Sequence, residues 1–378
     1  MIFSSSILSY MGDIRMAEVT IAAKGLDGVV VGETVLSRVD GEKGELIYRG
    51  YDIDEVADCT FEQVCYLFLY GELPSPEAEA ALKANLQKRY AIPTDVRDFI
   101  CQRAKPDHPM ATLRTSVSML SGHIREDDLI ESALELIAKT GTIAAAICRV
   151  RQNKDPIAPN ISFGFSKNFL YMCTGEVPED IMVKTMDTAM VLHMDHGFNA
   201  STFTARVVTS SLSDMISAVV AAIGSLKGPL HGGANTEVMK MLMEIGSLES
   251  VKPYIEKTLA EKRKVPGFGH RVYKVTDPRA KHLKRMSQEW GERAHEKKWF
   301  QMSEKIEELM WERKHINANV DFYSASTYYT MGIEPDMYTP IFAVARMVGW
   351  TAHVIEQLKD NRIMRPEAHY LGPVGKRV

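Results

Sequence analysis

The chain has 378 residues, of which 45% are hydrophobic and 25% charged, a composition typical of a globular protein with enough core for two or three domains. Its net charge of −4 lacks the basic excess of a nucleic-acid-binding protein. Five cysteines without a C-x-x-C pair argue against a disulfide framework and fit a reducing compartment. Residues 1–16 lack the pattern of a signal peptide, and the apolar run from Met215 is too short for a bilayer, so we expect a cytoplasmic protein without a membrane partner.

The first predicted elements are two short strands. TVLSRVD and ELIYRG flank GEKG at residues 41–44, which predicts a β-hairpin. Thr60 and Gln63 form a capping-box pattern before VCYLFLY, and Gly71 follows as a stop signal. Helical patterns separated by short Gly/Pro turns then continue to the C-terminus. The lack of alternating strands excludes a doubly wound α/β fold and predicts an all-α protein with a small N-terminal β-hairpin.

One predicted helix, DMISAVVAAIGSL from Asp214, is apolar on nearly every face. Such a helix is buried in a large core or in a subunit interface. The sequence therefore favours an oligomer, and both placements of this helix stay open.

The stretch VPGFGHRVYKVTDPR, residues 265–279, places His270 behind two glycines. It lacks the third glycine of a dinucleotide fingerprint and follows no βαβ unit. Two interpretations remain: a plain turn between helices, or a site where backbone N–H groups freed by Gly267 and Gly269 receive an anion or a carbonyl oxygen.

The end of the same stretch raises a question of charge. Asp277-Pro278 predicts a helix start, which puts Arg279 in the first turn, where the helix dipole disfavours a cation. Either Asp277 offsets that charge or a bound carboxylate or phosphate completes the site.

Two further stretches carry candidate acid–base groups. In LKGPLHGGAN, His231 precedes a helix that begins near Asn235, so it is either a neutral donor able to polarise a carbonyl or a capping residue in a tight turn. In NANVDFYSAS, Asp321 lies between apolar neighbours. It is therefore a general base with a raised pKa, a helix N-cap, or both.

The stretch HMDHGFN suggests a metal site, with His193 and His196 three residues apart around Asp195. Two ligands without a third are not enough, so no metal is predicted. His193 continues an apolar helical face and is predicted to lie in the core. His196, at the end of that helix, is the better site residue.

Two arginines complete the candidates. Arg346 lies within the apolar helix FAVARMVGW, where an unpaired charge is costly, and Arg365 precedes Pro366 in an irregular tail. Either arginine could be structural. Taken together, the histidines, the carboxylate and the arginines suit enolisation chemistry with an anionic carbonyl substrate.

These stretches resemble motifs of the citrate synthase family and occur in the family's order. The matching stretches are HPM at His108, HGFNASTFTARV, LKGPLHGGAN, VPGFGHRVYKVTDPR, NVDFYSA, TPIFAVARMVGW and NRIMRP. HGFN and Lys274 resemble its shorter bacterial and archaeal branch. The resemblance implies an all-α, two-domain homodimer, with a large domain at residues 1–228 and 331–378 and a small domain at residues 229–330.

The resemblance also implies a reaction of the tricarboxylic acid cycle without a permanently bound cofactor. Acetyl-CoA, as co-substrate, condenses with oxaloacetate through enolisation, addition and thioester hydrolysis to give citrate and free CoA. Asp321 would remove the methyl proton, His231 would hold the thioester oxygen, and His270 would polarise the ketone. The other implied roles fall to three sets: oxaloacetate binding by His196, His270, Arg279 and Arg346; completion of the partner's site by Arg365; and CoA binding by Val265, Gly267, Phe268, Gly269, Lys274 and Asn319.

Three rival interpretations stay open. FYSASTYY and MWERKH resemble 2-methylcitrate synthase, which uses propionyl-CoA, and one methylene gives only modest discrimination. A non-catalytic CoA- or dicarboxylate-binding protein and a metal hydrolase built on H-x-x-H are the others. The sequence does not decide between the two acyl-CoA substrates.

Overall fold

The computed structural model describes residues 22–125 and 127–377. Residues 34–363 form one compact unit, and residues 22–33 with 364–377 belong to a second. The division into a large and a small domain stays a prediction. The expectation about a signal peptide concerns residues that lie outside the described ones.

Helices dominate the described residues, which confirms the predicted all-α class with a small N-terminal sheet. Short 3-10 turns lie at Lys24–Leu26, Leu120–Gly122 and Pro335–Met337. The α-helices are α1 Ile53–Val56, α2 Phe61–Tyr70, α3 Pro76–Arg89, α4 Thr94–Arg103, α5 Pro109–Met119, α6 Leu129–Arg151, α7 Phe165–Thr174, α8 Asp180–His193, α9 Ala200–Ser210, α10 Met215–Leu226, α11 Ala234–Ile245, α12 Leu248–Ala260, α13 Ala280–Arg293, α14 Lys298–Lys314, α15 Val320–Thr330 and α16 Tyr338–Lys359.

The predicted hairpin is part of an antiparallel sheet of three strands, β1 Ser37–Asp40, β2 Glu45–Tyr48 and β3 Tyr51–Asp52. Its first turn packs against the loop that follows His270. A Cβ atom on Gly41 would lie 2.1 Å from the carbonyl oxygen of Val272, so only glycine permits this approach. The sheet therefore supports one wall of the region described below.

The local signals around the second helix are confirmed. The Thr60 hydroxyl accepts from the backbone N–H of Gln63, and the Gln63 side chain accepts from that of Thr60, which completes the capping box. Gly71 ends α2 in the left-handed conformation, with φ of 101°.

The core of the main unit is built around the long, largely buried helices α6 and α16. The apolar helix α10 packs one side against α5, α9 and α16, and its other side is partly exposed, so a subunit interface for that side stays a prediction. Asp214 caps it by accepting from the N–H of Ser217 at 2.7 Å. Within the described part of the chain, no helix has the length and apolarity needed to cross a bilayer.

Candidate active site

His196 lies in the loop between α8 and α9, where Gly197 takes a left-handed φ of 57°. Its Nε2 atom lies 3.1 Å from the Tyr273 hydroxyl. Burial holds its pKa well below the ordinary value, and the positive charge of Arg279 acts in the same direction. His196 is therefore a neutral hydrogen-bonding group.

His193, one turn earlier, is a core residue as predicted. It is buried, and its Nδ1 atom hydrogen-bonds to the Ala189 carbonyl oxygen at 2.6 Å. Burial lowers its pKa to about 3. Among the described residues, no cluster of three or more His, Cys, Asp or Glu side chains could hold a metal ion.

His270 is fixed by its own loop. Its Nδ1 atom accepts from the backbone N–H groups of Val272 at 3.0 Å and Tyr273 at 3.1 Å. We assign the ring proton to Nε2, because an accepting Nδ1 carries none in the neutral imidazole. Burial lowers the pKa to about 4, helped by Arg279. The Nε2–H group is thus available as a donor.

The three rings of this region pack together. The ring centroid of His270 lies 5.3 Å from that of His196 and 4.7 Å from that of Tyr273. Tyr273 is buried and contacts both histidines, although sequence reasoning did not select it as a site residue. Its aromatic hydroxyl within the same loop is the signal that could have identified it.

His231 is fixed with the opposite tautomer. Its Nε2 atom accepts from the backbone N–H of Ser201 at 3.2 Å and lies 2.8 Å from the Ser201 hydroxyl. That hydroxyl oxygen accepts from Trp350 Nε1 at 3.2 Å. We therefore assign the ring proton to Nδ1, which is available as a donor.

The cause of the neutrality of His231 differs from the expected one. The sequence argument relied on the N-terminus of the following helix, α11, which begins at Ala234. Burial is instead the largest cause, with the charge of Arg346 second, and the pKa of His231 falls to about 4.

Asp321 is the second residue of α15. Asn319 is the N-cap, since its side-chain oxygen accepts from the N–H of Asp321 at 3.0 Å, so the interpretation of Asp321 as the cap is wrong. The Asp321 carboxylate is half-buried and accepts no hydrogen bond from the described residues. Burial raises its pKa to about 6 against the opposing charge of Arg279.

Arg279 and Asp277 form a buried ion pair, in which Asp277 Oδ1 also accepts from the N–H of Arg279 at 3.0 Å. α13 begins at Ala280, so the predicted start at Asp277-Pro278 was wrong by two residues: the N–H of Ala280 donates to the Asp277 carbonyl at 3.0 Å in a turn that precedes the regular helix. Asp277 Oδ2 also accepts from the N–H of Val320 at 3.2 Å, which ties this pair to the start of α15.

Arg346 lies buried within α16. Its Nε atom donates to the His193 carbonyl oxygen at 2.6 Å, and its guanidinium stacks over Phe342 at 4.8 Å from the ring centroid. Its Nη1 atom is buried and has no hydrogen-bond partner among the described residues. Burial lowers the pKa of Arg346 to about 10, so it stays charged near neutral pH.

The glycine loop pairs with the segment before α15. Gly269 N–H donates to the Asn317 carbonyl at 3.1 Å, and Asn319 N–H donates to the Gly267 carbonyl at 2.9 Å. Gly267 has a φ of 81°, and a Cβ atom there would lie 2.7 Å from Phe322. The loop is therefore a fixed part of the fold and needs glycine for two independent reasons.

The other residues predicted to bind CoA or the partner's substrate differ in exposure. Val265 is buried, and Phe268 packs on Phe322 with ring centroids 4.6 Å apart. Lys274 is exposed and forms an ion pair with Glu42 of the hairpin turn. Arg365 is exposed and belongs to the second unit, so its role at a site stays a prediction.

Electrostatic effects connect the remaining candidates. The charge of Arg346 acts on the pKa values of His196, His231 and Asp321. That of Arg279 acts on His196, His270 and Asp321. The fields of these two arginines thus reach groups from five separate stretches of sequence: neutral imidazoles and one carboxylate of raised pKa, with the two buried cations themselves.

Comparisons with known proteins identify the family. Residues 25–367 match the family described as "Citrate synthase, C-terminal domain". Citrate synthase 2 of Bacillus subtilis is 46% identical over 360 residues, covering 93% of this chain and 96% of that protein. A 2-methylcitrate synthase of Mycobacterium tuberculosis is 42% identical over 357 residues, covering 92% and 90% respectively.

Solved structures show the same fold. The citrate synthase of Pyrobaculum aerophilum superimposes with a TM-score of 0.88 at 35% identity, covering 100% of this chain and 98% of that one. The Thermoplasma acidophilum citrate synthase, solved as a ternary complex with carboxymethyl coenzyme A and oxaloacetate, gives a TM-score of 0.87 at 32% identity, with coverages of 94% and 97%.

The fold, the gathered site and these likenesses define an enzyme, an acyltransferase of the class that converts the acyl group into an alkyl group on transfer. The chain belongs to the citrate synthase family, in its bacterial and archaeal type.

Proposed function

We propose that the protein condenses acetyl-CoA with oxaloacetate and releases citrate and free CoA. One observation carries the proposal: two neutral histidines each have one ring nitrogen occupied as an acceptor, which leaves the other as a fixed donor, and the charges of Arg279 and Arg346 that act on them also act on a carboxylate of raised pKa. Enolisation of a thioester requires this combination of base and donors.

Asp321 is the proposed base. Its pKa of about 6 leaves it mostly ionised at neutral pH, yet more basic than an ordinary aspartate. The methyl protons of a thioester are weakly acidic, so the base needs help. His231 gives it by donating from Nδ1 to the thioester oxygen, where negative charge develops as the proton leaves.

The second half of the reaction concerns oxaloacetate. His270 donates from Nε2 to the ketone oxygen, and the enolate carbon attacks the ketone carbon. The resulting alkoxide takes the Nε2 proton of His270, and the methyl proton held by Asp321 then restores His270 and frees the base. Water finally hydrolyses the thioester of citryl-CoA to a carboxylic acid and the CoA thiol.

The substrate's carboxylates require cations. Arg346 is suited to this role because its buried Nη1 has no partner among the described residues, and a buried guanidinium donor without an acceptor is costly. Arg279 supplies further positive charge, although Asp277 already occupies its Nε and Nη2 atoms. His196 contributes a neutral donor or acceptor beside them.

For CoA we propose the loop at residues 265–269, with Asn319 and Lys274. Asn319 holds the loop, since its Nδ2 donates to the Gly269 carbonyl at 2.9 Å. Lys274 is exposed, and its ion pair with Glu42 is of the weak surface kind, so a CoA phosphate can compete for it.

We further propose a cytoplasmic homodimer in which Arg365 completes the site of the partner subunit. Its support is the exposure of Arg365 outside the main unit, together with the family's two-subunit organisation implied by the sequence resemblance. Size-exclusion chromatography with light scattering tests the dimer. Mixing inactive Asp321→Ala chains with inactive Arg365→Ala chains tests the shared site, because hybrid dimers should regain activity at one of their two sites.

The second candidate function is 2-methylcitrate synthesis from propionyl-CoA, which a 42% identical relative of that name favours. A thiol-release assay with oxaloacetate and each acyl-CoA separates the two candidates. We expect a higher kcat/KM for acetyl-CoA, and a clear preference for propionyl-CoA would overturn that choice. In the same assay Asp321→Ala should release no thiol while still binding oxaloacetate. Binding without thiol release by the unmodified protein would leave only a binding function.

A further inference from the structure

The loop that carries His196 is held from behind by a buried polar cluster. Asp195, fully buried, accepts a hydrogen bond on Oδ2 from the hydroxyl of Ser37 in β1. The same hydroxyl oxygen accepts from the N–H of Gly197 at 2.9 Å. One side chain of the sheet therefore ties down both chain neighbours of His196.

The backbone of Asp195 is fixed as well. Its N–H donates to the Tyr48 hydroxyl at 3.2 Å, and that hydroxyl lies 2.9 Å from the Asp195 carbonyl oxygen. Tyr48 is buried in the strand paired with β1, directly opposite Ser37 in the register. Two residues facing each other across the sheet thus hold one loop residue at its side chain and its backbone.

A buried histidine of α16 supports the Asp195 carboxylate. His353 of α16 lies with Nε2 at 3.2 Å from Asp195 Oδ2, and its Nδ1 lies 3.0 Å from Arg206 Nη1. Arg206 in turn pairs with Glu356 at 2.6 Å. Because Arg206 Nη1 can only donate, His353 Nδ1 accepts, and His353 donates from Nε2 to Asp195.

This arrangement costs stability, which argues for a role beyond packing. Asp195 is a fully buried carboxylate whose Oδ1 has no hydrogen-bond partner among the described residues. An apolar cluster of similar volume would avoid that penalty. Polar clusters that break the rules of a stable core are expected beside functional sites, and this one adjoins His196.

We propose that Ser37, Asp195 and His353 are positioning residues that fix the backbone on both sides of His196 and thereby set the affinity for oxaloacetate. This inference rests on the proposed function, because it assigns His196 to oxaloacetate. The three residues act through His196 and contribute no atom to the reaction. Their effect falls on oxaloacetate and spares CoA, whose proposed loop lies at residues 265–269.

The test is steady-state kinetics of Ser37→Ala, Asp195→Asn and the double variant. Ser37→Ala should raise KM for oxaloacetate about three- to tenfold, because the variant loses the hydrogen bonds to Asp195 and Gly197, with kcat and KM for the acyl-CoA within about twofold. Asp195→Asn should act in the same direction. The double variant should show less than the summed effect, because the two single variants each remove or weaken the same hydrogen bond between Ser37 and Asp195.

Ser132→Ala is the matched control, a buried serine whose hydroxyl donates to the backbone carbonyl of Asp128 at 2.7 Å at the start of α6. It should lower the melting temperature as Ser37→Ala does and leave both KM values unchanged. The inference is overturned if Ser37→Ala leaves KM for oxaloacetate unchanged, raises both KM values alike, or adds fully to Asp195→Asn. Failure of the proposed function is distinguishable, since the unmodified enzyme would then release no thiol.

Discussion

Asp277 and Arg279 form a two-contact ion pair away from solvent, with Nε 3.0 Å from Oδ1 and Nη2 2.8 Å from Oδ2. The pair holds Arg279 beside the start of α15, where Asp321 lies. Asp277→Asn removes the countercharge of a buried guanidinium, and we expect the free energy of unfolding to fall by about 3 kcal/mol. Urea denaturation measures this change.

The exposed pair of Arg103 and Asp107, with an N–O distance of 2.7 Å, offers a control of the same chemistry. Asp107→Asn should lower the free energy of unfolding by less than about 1 kcal/mol, because solvent screens the interaction. Equal losses in the two variants would show that burial of the first pair contributes nothing.

The activity of the enzyme should decline in acid because Asp321 becomes protonated. With its pKa at about 6, kcat/KM should fall progressively below that pH, since a protonated carboxyl cannot accept the methyl proton. His231 and His270, both with pKa values of about 4, remain neutral over the same range. Thiol release measured from pH 5 to pH 9 gives the profile, and a kcat/KM that stays constant down to pH 5 would show that Asp321 is not the titrating base.

Asp187 should make the stability of the fold depend on pH. Burial raises its pKa to about 7, with Glu62 as a second cause, while its Oδ1 accepts from the N–H of Phe61 at 3.2 Å. A carboxyl whose pKa is higher in the folded state stabilises fully below its unfolded pKa, about 4, and this contribution is lost as the pH rises through about 7. The free energy of unfolding of Asp187→Asn should therefore exceed that of the unmodified protein by on the order of 2 kcal/mol at pH 8, and by little at pH 4.

Urea denaturation at the two pH values measures that difference. Asp180→Asn, at the exposed first residue of the same helix, is the control and should show no such pH-dependent gain. Parallel pH dependences of Asp187→Asn and the unmodified protein would contradict the assignment. The kcat/KM of Asp187→Asn should still fall below about pH 6, because that fall comes from Asp321 and not from Asp187.

Local patterns predicted much of the fold, because a cap or a hairpin is decided within a few residues. Thr60 and Gln63 lie three positions apart, and their reciprocal hydrogen bonds were readable from type and spacing. The contacts that orient the site were not readable. His231 and Ser201 are 30 positions apart, and Ser37 and Asp195 are 158 apart, so no local periodicity records either contact.

The helix start near residue 277 shows a further reason for error. Asp-Pro is a good local start signal, yet Asp277 forms its strongest interaction with the guanidinium of Arg279, which needs a countercharge once it is buried. The regular helix starts two residues later because residues 277–280 first form a hydrogen-bonded turn, which the residue types alone do not distinguish from a helix start. The same pair answers the question of charge at that position, since Asp277 offsets Arg279 directly.

Gly349 allows α16 to lie against the loop that carries His196. A Cβ atom there would lie 2.2 Å from the Met194 carbonyl oxygen and 2.9 Å from Asp195 Oδ1. Gly349→Ala must therefore displace the loop, and we expect a loss of about 2 kcal/mol in stability together with a higher KM for oxaloacetate. Urea denaturation and initial rates at varied oxaloacetate measure the two effects.

Gly224 of α10 is the matched control, because a Cβ atom there would meet only Arg114 Cδ, at 3.9 Å. Gly224→Ala should raise stability by about 0.5–1 kcal/mol, since alanine loses less conformational freedom than glycine on entering a helix. It should leave KM for oxaloacetate unchanged. If Gly349→Ala leaves KM for oxaloacetate unchanged, the loop tolerates the displacement. The backbone around His196 would then be held less tightly than the hydrogen bonds of Asp195 indicate.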